Sequence, residues 1–513
     1  MPKDTFFVTT PIYYVNDVPH IGHAYTTVAC DFVARYHRLA GEKVHMLTGT
    51  DEHGQKVARA AQEQGLDPQA WCDEIIPRWR EVWDRLEIGY DDFIRTTDER
   101  HTGPAGELAQ LLYDKGEVYL GHYEGPYCVS CETFYQPGEV KDGLCPIHER
   151  PVEILKEENY FFRLSAYQDR LLQLYEEHPE FVQPEVRRNE VISFVKGGLE
   201  DLSITRTSFN WGIPAPWDPK HVIYVWIDAL PNYMTAVGYA RDPERFERVW
   251  PADCHFIGKD ILRHHCVIWP AVLMAAGLPL PKSVFAHGYL TVGGKKMSKT
   301  NLTGISPHTL IDTFGVDGYR YHFLREGVFG QDGSFSWEAM LARYNADLAN
   351  DLGNLVSRAL AMVANYFDSI VPEASDETDA ERGLARAAAD AAAALDRGVR
   401  SFDFAGALSG VFDLVRAANH YIDAAAPWNL SKDPAQKARL STVLYSACEA
   451  IRQISVLISP AMPGASRRIR EQLGLEETDP RPLGESLRWG GLISGTKIRR
   501  GDSIFPRIEA EAE

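Results

Sequence analysis

The hydrophobic pattern opens with a short β-prone run. Phe6, Phe7 and Val8, followed by Thr9 and Thr10, are too few for a helix and rich in the residue types that strands favour. Ile21, Val28, Phe32, Val33, Tyr36 and Leu39 then recur at roughly helical spacing up to Gly41, a C-terminal stop. A second run, Val44 to Thr48, ends at Thr50-Asp51-Glu52-His53-Gly54. Strand, loop, helix and strand make a βαβ unit, which places ligands at the carboxyl ends of its strands. The loop Pro11 to His23, PIYYVNDVPHIGH, falls at that position.

Further along, Gln55 to Leu86 reads as helices broken at Gly65 and Pro68, with Trp79 and Trp83 one turn apart on a packing face. A helix from Ala105 to Lys115 leads to Gly116, where the α/β pattern is interrupted. It resumes at Val222 to Leu230, VIYVWIDAL, whose β-branched content predicts a buried parallel strand. Phe256-Ile257-Gly258-Lys259-Asp260-Ile261 follows, then a helix holding His264, His265 and Trp269. Gly258 and Asp260 end a strand and can meet ribose hydroxyls. Beyond Trp337 the pattern is helical over 339–366, 380–398, 402–423 and 435–459, which predicts an antiparallel bundle.

Composition narrows the class. A chain of 513 residues exceeds one ordinary domain, and 45% apolar with 24% charged residues is the balance of a globular protein. No apolar run is long enough to cross a bilayer and the N-terminus lacks a signal-peptide pattern, so a cytoplasmic enzyme is expected. A net charge of −19 argues against indiscriminate coating of nucleic acid but not against one specific RNA. Local basic surfaces for such a partner are Arg187-Arg188 with Lys196, Arg467-Arg468 with Arg470, and Lys497 with Arg499-Arg500, each equally readable as a solvated face.

Of the eight cysteines, Cys30, Cys72, Cys254, Cys266 and Cys448 stand in apolar contexts that suit buried thiols. The other three have a spacing. Cys128-Val-Ser-Cys131 and Cys145-Pro-Ile-His148 are two knuckles able to surround one zinc ion with three thiolates and an imidazole. A filled shell points to a structural metal; disulfides, the alternative, are disfavoured in a cytosolic chain.

Two short motifs carry chemistry. His20-Ile21-Gly22-His23 opens a helix, whose N–H groups and imidazoles suit a nucleotide phosphate, although histidines at a helix start also serve as simple caps. Gly293-Gly294-Lys295-Lys296-Met297-Ser298-Lys299-Thr300 is a cationic loop able to close over an anion, or an ordinary basic turn. Together they resemble the HIGH and KMSKS signatures of class I aminoacyl-tRNA synthetases, with Thr300 in place of the usual serine.

The ordered series PIYYVN…HIGH, GTDEHG, the knuckles, ENYFF, YVWIDAL, FIGKDI and HGY…KMSKT resembles, over nearly the whole chain, the bacterial methionyl-tRNA synthetase family. That resemblance implies an α/β, Rossmann-like catalytic domain with a zinc-knuckle insertion, followed by an all-α anticodon-binding bundle. Its implied boundaries are 1–116 and 222–290 for the two catalytic halves and 117–221 for the insertion. The lysine-loop, stem-contact region would be 291–338 and the anticodon domain 339–513. The implied activity joins L-methionine to tRNA(Met), the initiator included, through a methionyl-adenylate, using ATP with Mg²⁺.

Carried onto this chain, the resemblance gives His20, Gly22, His23, Gly258, Asp260, Lys296 and Lys299 to ATP, with His20, His23, Lys296, Lys299 and Arg206 catalytic. It gives Ile12, Tyr14, Asp51, Trp226, Ala229, Leu230, Tyr233, His265 and Trp269 to methionine, and Asn354, Arg358 and Trp428 to the anticodon. The chemistry suits: aromatic walls contact a thioether, Tyr14 can donate to its sulfur, and Asp51 can pair with an ammonium. Singly, the aromatics read as core and Arg206 as a surface ion pair. Valyl, isoleucyl and leucyl enzymes share both motifs but need a larger editing insertion, while a cysteinyl enzyme would turn its metal to the substrate. A zinc-bearing RNA-binding or assembly factor without catalysis is the rival from another class. No tRNA-binding domain follows the bundle, which favours a monomer.

Overall fold

The computed structural model describes residues 3–129, 133–135, 138, 140–146, 149–292, 295–296, 306–476 and 481–509. β1 (Phe6–Tyr14), α1 (Ile21–Leu39) and β2 (Val44–Asp51) form the expected βαβ unit, extended by α2 (Gln55–Glu63), α3 (Pro68–Arg85), β3 (Asp92–Arg95) and α4 (Glu99–Asp114). β1 outruns its apolar stretch and takes in Pro11 to Tyr14, so the loop is shorter than its sequence suggests. Pairing with β2 is irregular between Thr9 and Ile12, which accommodates a proline that has no N–H for the ladder. Beyond the irregularity Tyr14 comes to lie opposite Asp51.

The chain then leaves the sheet for an antiparallel insert, β4 (Val118–Cys128), β5 (Thr133–Phe134) and β6 (Glu153–Phe162). After α5 (Gln168–Glu177), the short β7 (Val182–Gln183) joins the central sheet, and α6 (Glu185–Lys196) covers its end. β8 (Leu202–Ser203) pairs back onto β6. β9 (Thr205–Arg206), β10 (Pro214–Ala215) and β11 (Asp218–Ile223) make a small antiparallel sheet of their own.

Here the sequence expectation fails. Val222 to Leu230 is not a strand of the parallel sheet: β11 stops at Ile223, and α7 (Val225–Ala229) follows, then α8 (Asn232–Thr235). Every residue from His221 to Val237 that carries an apolar side chain is buried, and when all sides are covered apolar content does not separate strand from helix. Asp228, inside that run, finds its partners from the helical turn.

After α9 (Pro243–Val249), the strands β12 (Cys254–Gly258) and β13 (Val284–His287) flank the π-turn His264–Ile268 and α10 (Trp269–Ala276). They complete a six-stranded sheet in the order β3-β2-β1-β12-β13-β7, parallel throughout. The order reverses between β1 and β12, the crevice where open parallel sheets receive ligands. Alternate side chains serve two cores. Val8, Met46 and Phe256 face α1, α3 and the C-terminal helices, whereas Phe7, Leu47 and Ile257 face α4, α7 and α10.

β14 (Leu290–Val292), β15 (Lys295–Lys296), α11 (Pro307–Arg325) and β16 (Gly333–Phe335) lead to the helical end. There α12 (Trp337–Arg343) runs through a π-helical stretch into α13 (Asn354–Tyr366). α14 (Asp379–Arg400), α15 (Phe404–Ala425), α16 (Pro427–Leu430), α17 (Lys437–Ile458) and α18 (Pro463–Gln472) follow, close to the periods expected. One buried cation joins both ends. Arg320 of α11 donates to Asp31 Oδ2 of α1 at 2.6 Å and to the carbonyls of Leu86, Pro460 and Ala461. Burial pushes the Asp31 carboxyl up, but the Arg320 and Arg35 guanidiniums carry it below the usual range.

Two of the expected basic surfaces are largely answered from within. Arg187 pairs with Glu190 and Arg188 with Glu185; Arg467 meets Glu87, Arg468 meets Asp317, and Arg470 is buried. Lys497, Arg499 and Arg500 are exposed.

Candidate active site

At the end expected to take the nucleotide, His20 caps α1. Its Nδ1 accepts from Gly22 N–H at 3.1 Å while His23 Nδ1 accepts from His20 N–H at 3.3 Å, a reciprocal capping box made with two imidazoles. The rings stack at 3.6 Å between centroids, and His23 leans on Trp79 at 5.0 Å. A Cβ on Gly22 would stand 3.0 Å from the His20 ring, so any larger residue there would press on the cap. Trp71 and Trp79 donate to the carbonyls of Val15 and Asp17, pinning the loop from below.

The strand next door supplies the other side. Gly258 ends β12, and a Cβ on it would stand 2.4 Å from Asp260 Oδ1; Asp260 itself is exposed. Thr26, in the second turn of α1, donates to His287 Nε2 at 2.7 Å, because His287 Nδ1 gives its hydrogen to the Gly288 carbonyl. Burial holds His287 below the ordinary imidazole value, so it stays a neutral acceptor. This bond, missed in the sequence, ties the HIGH helix to the strand that leads to the lysine loop. Lys296 lies on β15 opposite Thr291; Lys299 lies outside the described residues.

The residues expected to take the amino acid are brought together from distant walls. Tyr14 is opposite Asp51 in register and meets Trp226 edge-on at 6.3 Å. Trp226 stacks on His264 at 3.7 Å and lies 6.5 Å from His265. Tyr233 bonds His265 Nε2 at 2.7 Å, and its ring is 6.5 Å from that of Trp269. His265 Nδ1 faces the Ile261 carbonyl at 3.0 Å, so Nε2 accepts and Tyr233 donates. Burial lowers His265 to about 4 and His264 to about 3, leaving both neutral. Leu230 is buried in the same core, with Ile12 half-buried against it, and Ala229 is buried as well.

Behind this wall is a second network that residue spacing did not reveal. Asp228 Oδ2 meets His53 Nδ1 at 2.6 Å, and Asp228 Oδ1 meets His101 Nε2 at 2.9 Å. His101 Nδ1 reaches Thr235 Oγ1 at 2.8 Å. Burial pushes Asp228 up, but the imidazoles hold it at about 2; burial depresses His53, and Asp228 more than reverses that. His53 and Asp228 stand inside the GTDEHG and YVWIDAL motifs, so they had a signal; His101 had none.

Arg206 is not brought to either end in its described contacts. It is fully buried, donating to Ser203 and to the Thr205 carbonyl, with its guanidinium over the Tyr224 ring at 4.2 Å. In the knuckle, Cys128 and Cys145 are buried together with Tyr135 in one small cluster. Cys131 and His148 lie outside the described residues, and among those described no three His, Cys, Asp or Glu side chains group to hold a metal.

In the helical domain Asn354 is exposed at the start of α13, and Arg358, one turn on, pairs with Asp423 of α15 at 2.9 Å. Trp428 follows on α16 and is 40% exposed, which removes its reading as core. Among the described residues no helix is long and apolar enough to cross a membrane.

A family model described as tRNA synthetases class I (M) matches residues 6–153 and 135–360, and one for the anticodon binding domain of methionyl tRNA ligase matches 371–513. The methionine–tRNA ligase of Streptomyces coelicolor is 54% identical, covering 98% of this chain and 97% of its own; that of Thermotoga maritima is 47% identical, covering 99% and 81%. Among solved structures, Mycobacterium tuberculosis methionyl-tRNA synthetase in complex with methionyl-adenylate superposes with a TM-score of 0.94 at 44% identity, over 99% of this chain and 100% of that one. Its apo form gives 0.88 at 41%, covering 99% of each chain. With matches to both parts of the molecule and near-complete coverage of relatives, this chain belongs to the methionyl-tRNA synthetase family of class I synthetases.

Proposed function

We propose that the two ends of the crevice between β1 and β12 are the nucleotide and amino-acid halves of the site where this methionine–tRNA ligase makes methionyl-tRNA. The observation that carries the reading is Tyr14, opposite Asp51 on one side and 6.3 Å from Trp226 on the other, at the end of the strand that leads into the His20–His23 cap. An ammonium at Asp51 and a thioether against the aromatic wall leave the carboxylate directed toward the cap.

The methionine carboxylate attacks the α-phosphorus of ATP, which enters as its Mg²⁺ complex, and pyrophosphate leaves. His20, His23, Lys296 and Lys299 stabilise the charge that builds on the phosphates, with Gly22 and Gly258 admitting the flat base and ribose. The 2′-hydroxyl of the tRNA terminal adenosine then attacks the adenylate carbonyl, releasing AMP. No protein nucleophile is needed. Asn354, Arg358 and Trp428 read the anticodon by base edges and stacking. For Arg206, a positioning effect through the β9 sheet fits its enclosure better than contact with phosphate.

Cys128 and Cys145, buried in one small cluster, fit two corners of a structural zinc site, and with Cys131 and His148 the sequence offers a donor set of three thiolates and one imidazole. Bound there, zinc would cross-link the tip of the insert. Metal analysis is expected to return about one zinc per chain. Methionine-dependent ATP–pyrophosphate exchange tests the activity: none in metal-replete protein would defeat the enzyme reading.

A further inference from the structure

We propose that Asp228 is a positioning residue for methionine, setting the distance between the carboxylate wall and the aromatic wall of the amino-acid pocket through His53 and His101. The proposal rests on the pocket assignment above and adds to it a part that touches no substrate. His53 lies two residues after Asp51, on the loop leaving β2; Asp228 lies two residues after Trp226 and just before Ala229 and Leu230, on α7. Their 2.6 Å bond is therefore a direct polar tie between the two walls.

His101 extends the tie. From α4 it donates to Asp228 Oδ1 at 2.9 Å and to the Asp228 carbonyl at 3.0 Å, so both the side chain and the backbone of α7 are held. Its other nitrogen meets Thr235 Oγ1 on α8, the short helix that carries Tyr233. The loop after β2 and helix α4, remote from each other in sequence, thus converge on the Asp228 carboxylate of α7, and His101 carries the link on to α8.

The loop that follows Asp51 is fixed from its other side as well. Glu52, wholly buried, is gripped by Arg95 through two bonds of 2.8 and 2.9 Å, and Arg95 also meets Asp73. Trp211 donates to the Glu52 carbonyl at 2.6 Å and packs edge-on against the His53 ring at 5.2 Å. The charged groups around His53 are therefore Asp228 and Glu52, and that glutamate is already matched by Arg95.

Packing alone does not ask for this arrangement. Fully buried ions lose solvation that an apolar trio of similar volume keeps, so such groups stabilise less than they cost unless direction matters. Hydrogen bonds fix angle and distance where apolar contact permits sliding.

The test is pyrophosphate exchange with the full chain, reading KM for methionine, KM for ATP and kcat separately. His53→Ala should raise the methionine KM about tenfold, with the ATP KM and kcat held within about twofold. His53→Asn, whose amide N–H falls near the imidazole Nδ1, should recover most of that loss. Should His53→Ala not fold, Asp228→Asn keeps the shape of the carboxylate and must show the same split between the two KM values. An ATP KM that climbs in step with that for methionine, or an asparagine no better than alanine, overturns the proposal. Asp51→Asn separates the two levels. If it raises the methionine KM while the His53 variants do not, the positioning role falls and the pocket assignment stands; if it changes nothing, both fall.

Discussion

The proposed nucleotide end and the proposed amino-acid end of this crevice are built in opposite ways. The first is made mostly of main chain: a helix start, a strand end and two glycines, with half-exposed histidines that lie three residues apart and hold each other. The second is made of side chains from β1, β2, α7, α8 and the π-turn, nearly all buried, with Tyr233 donating to a neutral His265. A phosphate needs donors and room, and a short stretch supplies both. Discriminating a thioether needs a shaped enclosure, and that takes distant walls.

If the difference holds, the two ends should fail differently. The largest effect is expected at the nucleotide end. Replacing His20 and His23 together by alanine should slow adenylate formation by roughly 10²- to 10³-fold, while methionine binding, followed by equilibrium dialysis, stays near its original value. Lys299→Ala should move in the same direction, and equal loss of binding and rate would erase the distinction. Next comes the wall: Trp226→Ala should raise the methionine KM roughly thirtyfold and leave the ATP KM alone. Trp428→Ala sharpens the comparison from outside, lowering tRNA charging roughly tenfold without altering pyrophosphate exchange.

The smallest effect is in pH. His264 and His265 remain neutral in the fold down to about 3 and 4, whereas the unfolded chain protonates them near the ordinary imidazole value. Their share of stability is full above that value and is lost as pH falls toward the folded ones. His53 has the opposite sign, since its folded value is raised: its share is full below the ordinary value and fades as pH climbs past the folded one. Tm measured against pH should therefore show wild type above His53→Asn by roughly 2 °C in mild acid, closing as the solution turns alkaline.

The same contrast decides what could be read in the chain beforehand. The βαβ unit, the helix periods beyond Trp337 and the histidine loop are local, so spacing exposes them. The run from Val222 to Leu230 was misread because burial on every side removes the polar positions that would reveal a period. Residue resemblance named the pocket aromatics, but His101 could not have been found: it is one polar residue in α4, and its meaning depends on a helix 127 residues away. Likewise Thr26 and His287 meet only after β13 has taken its place in the sheet.

Arg320 carries a consequence for evolution and engineering alike. Because its guanidinium spends its donors on the HIGH helix, the end of α3 and the turn between α17 and α18, neither portion of the molecule can be cut away cleanly. A catalytic fragment lacking Pro460 and Ala461 would keep a cation whose hydrogens have lost two carbonyls, beside an apolar face stripped of its cover. The catalytic sheet and the helical end are therefore expected to melt as one cooperative unit.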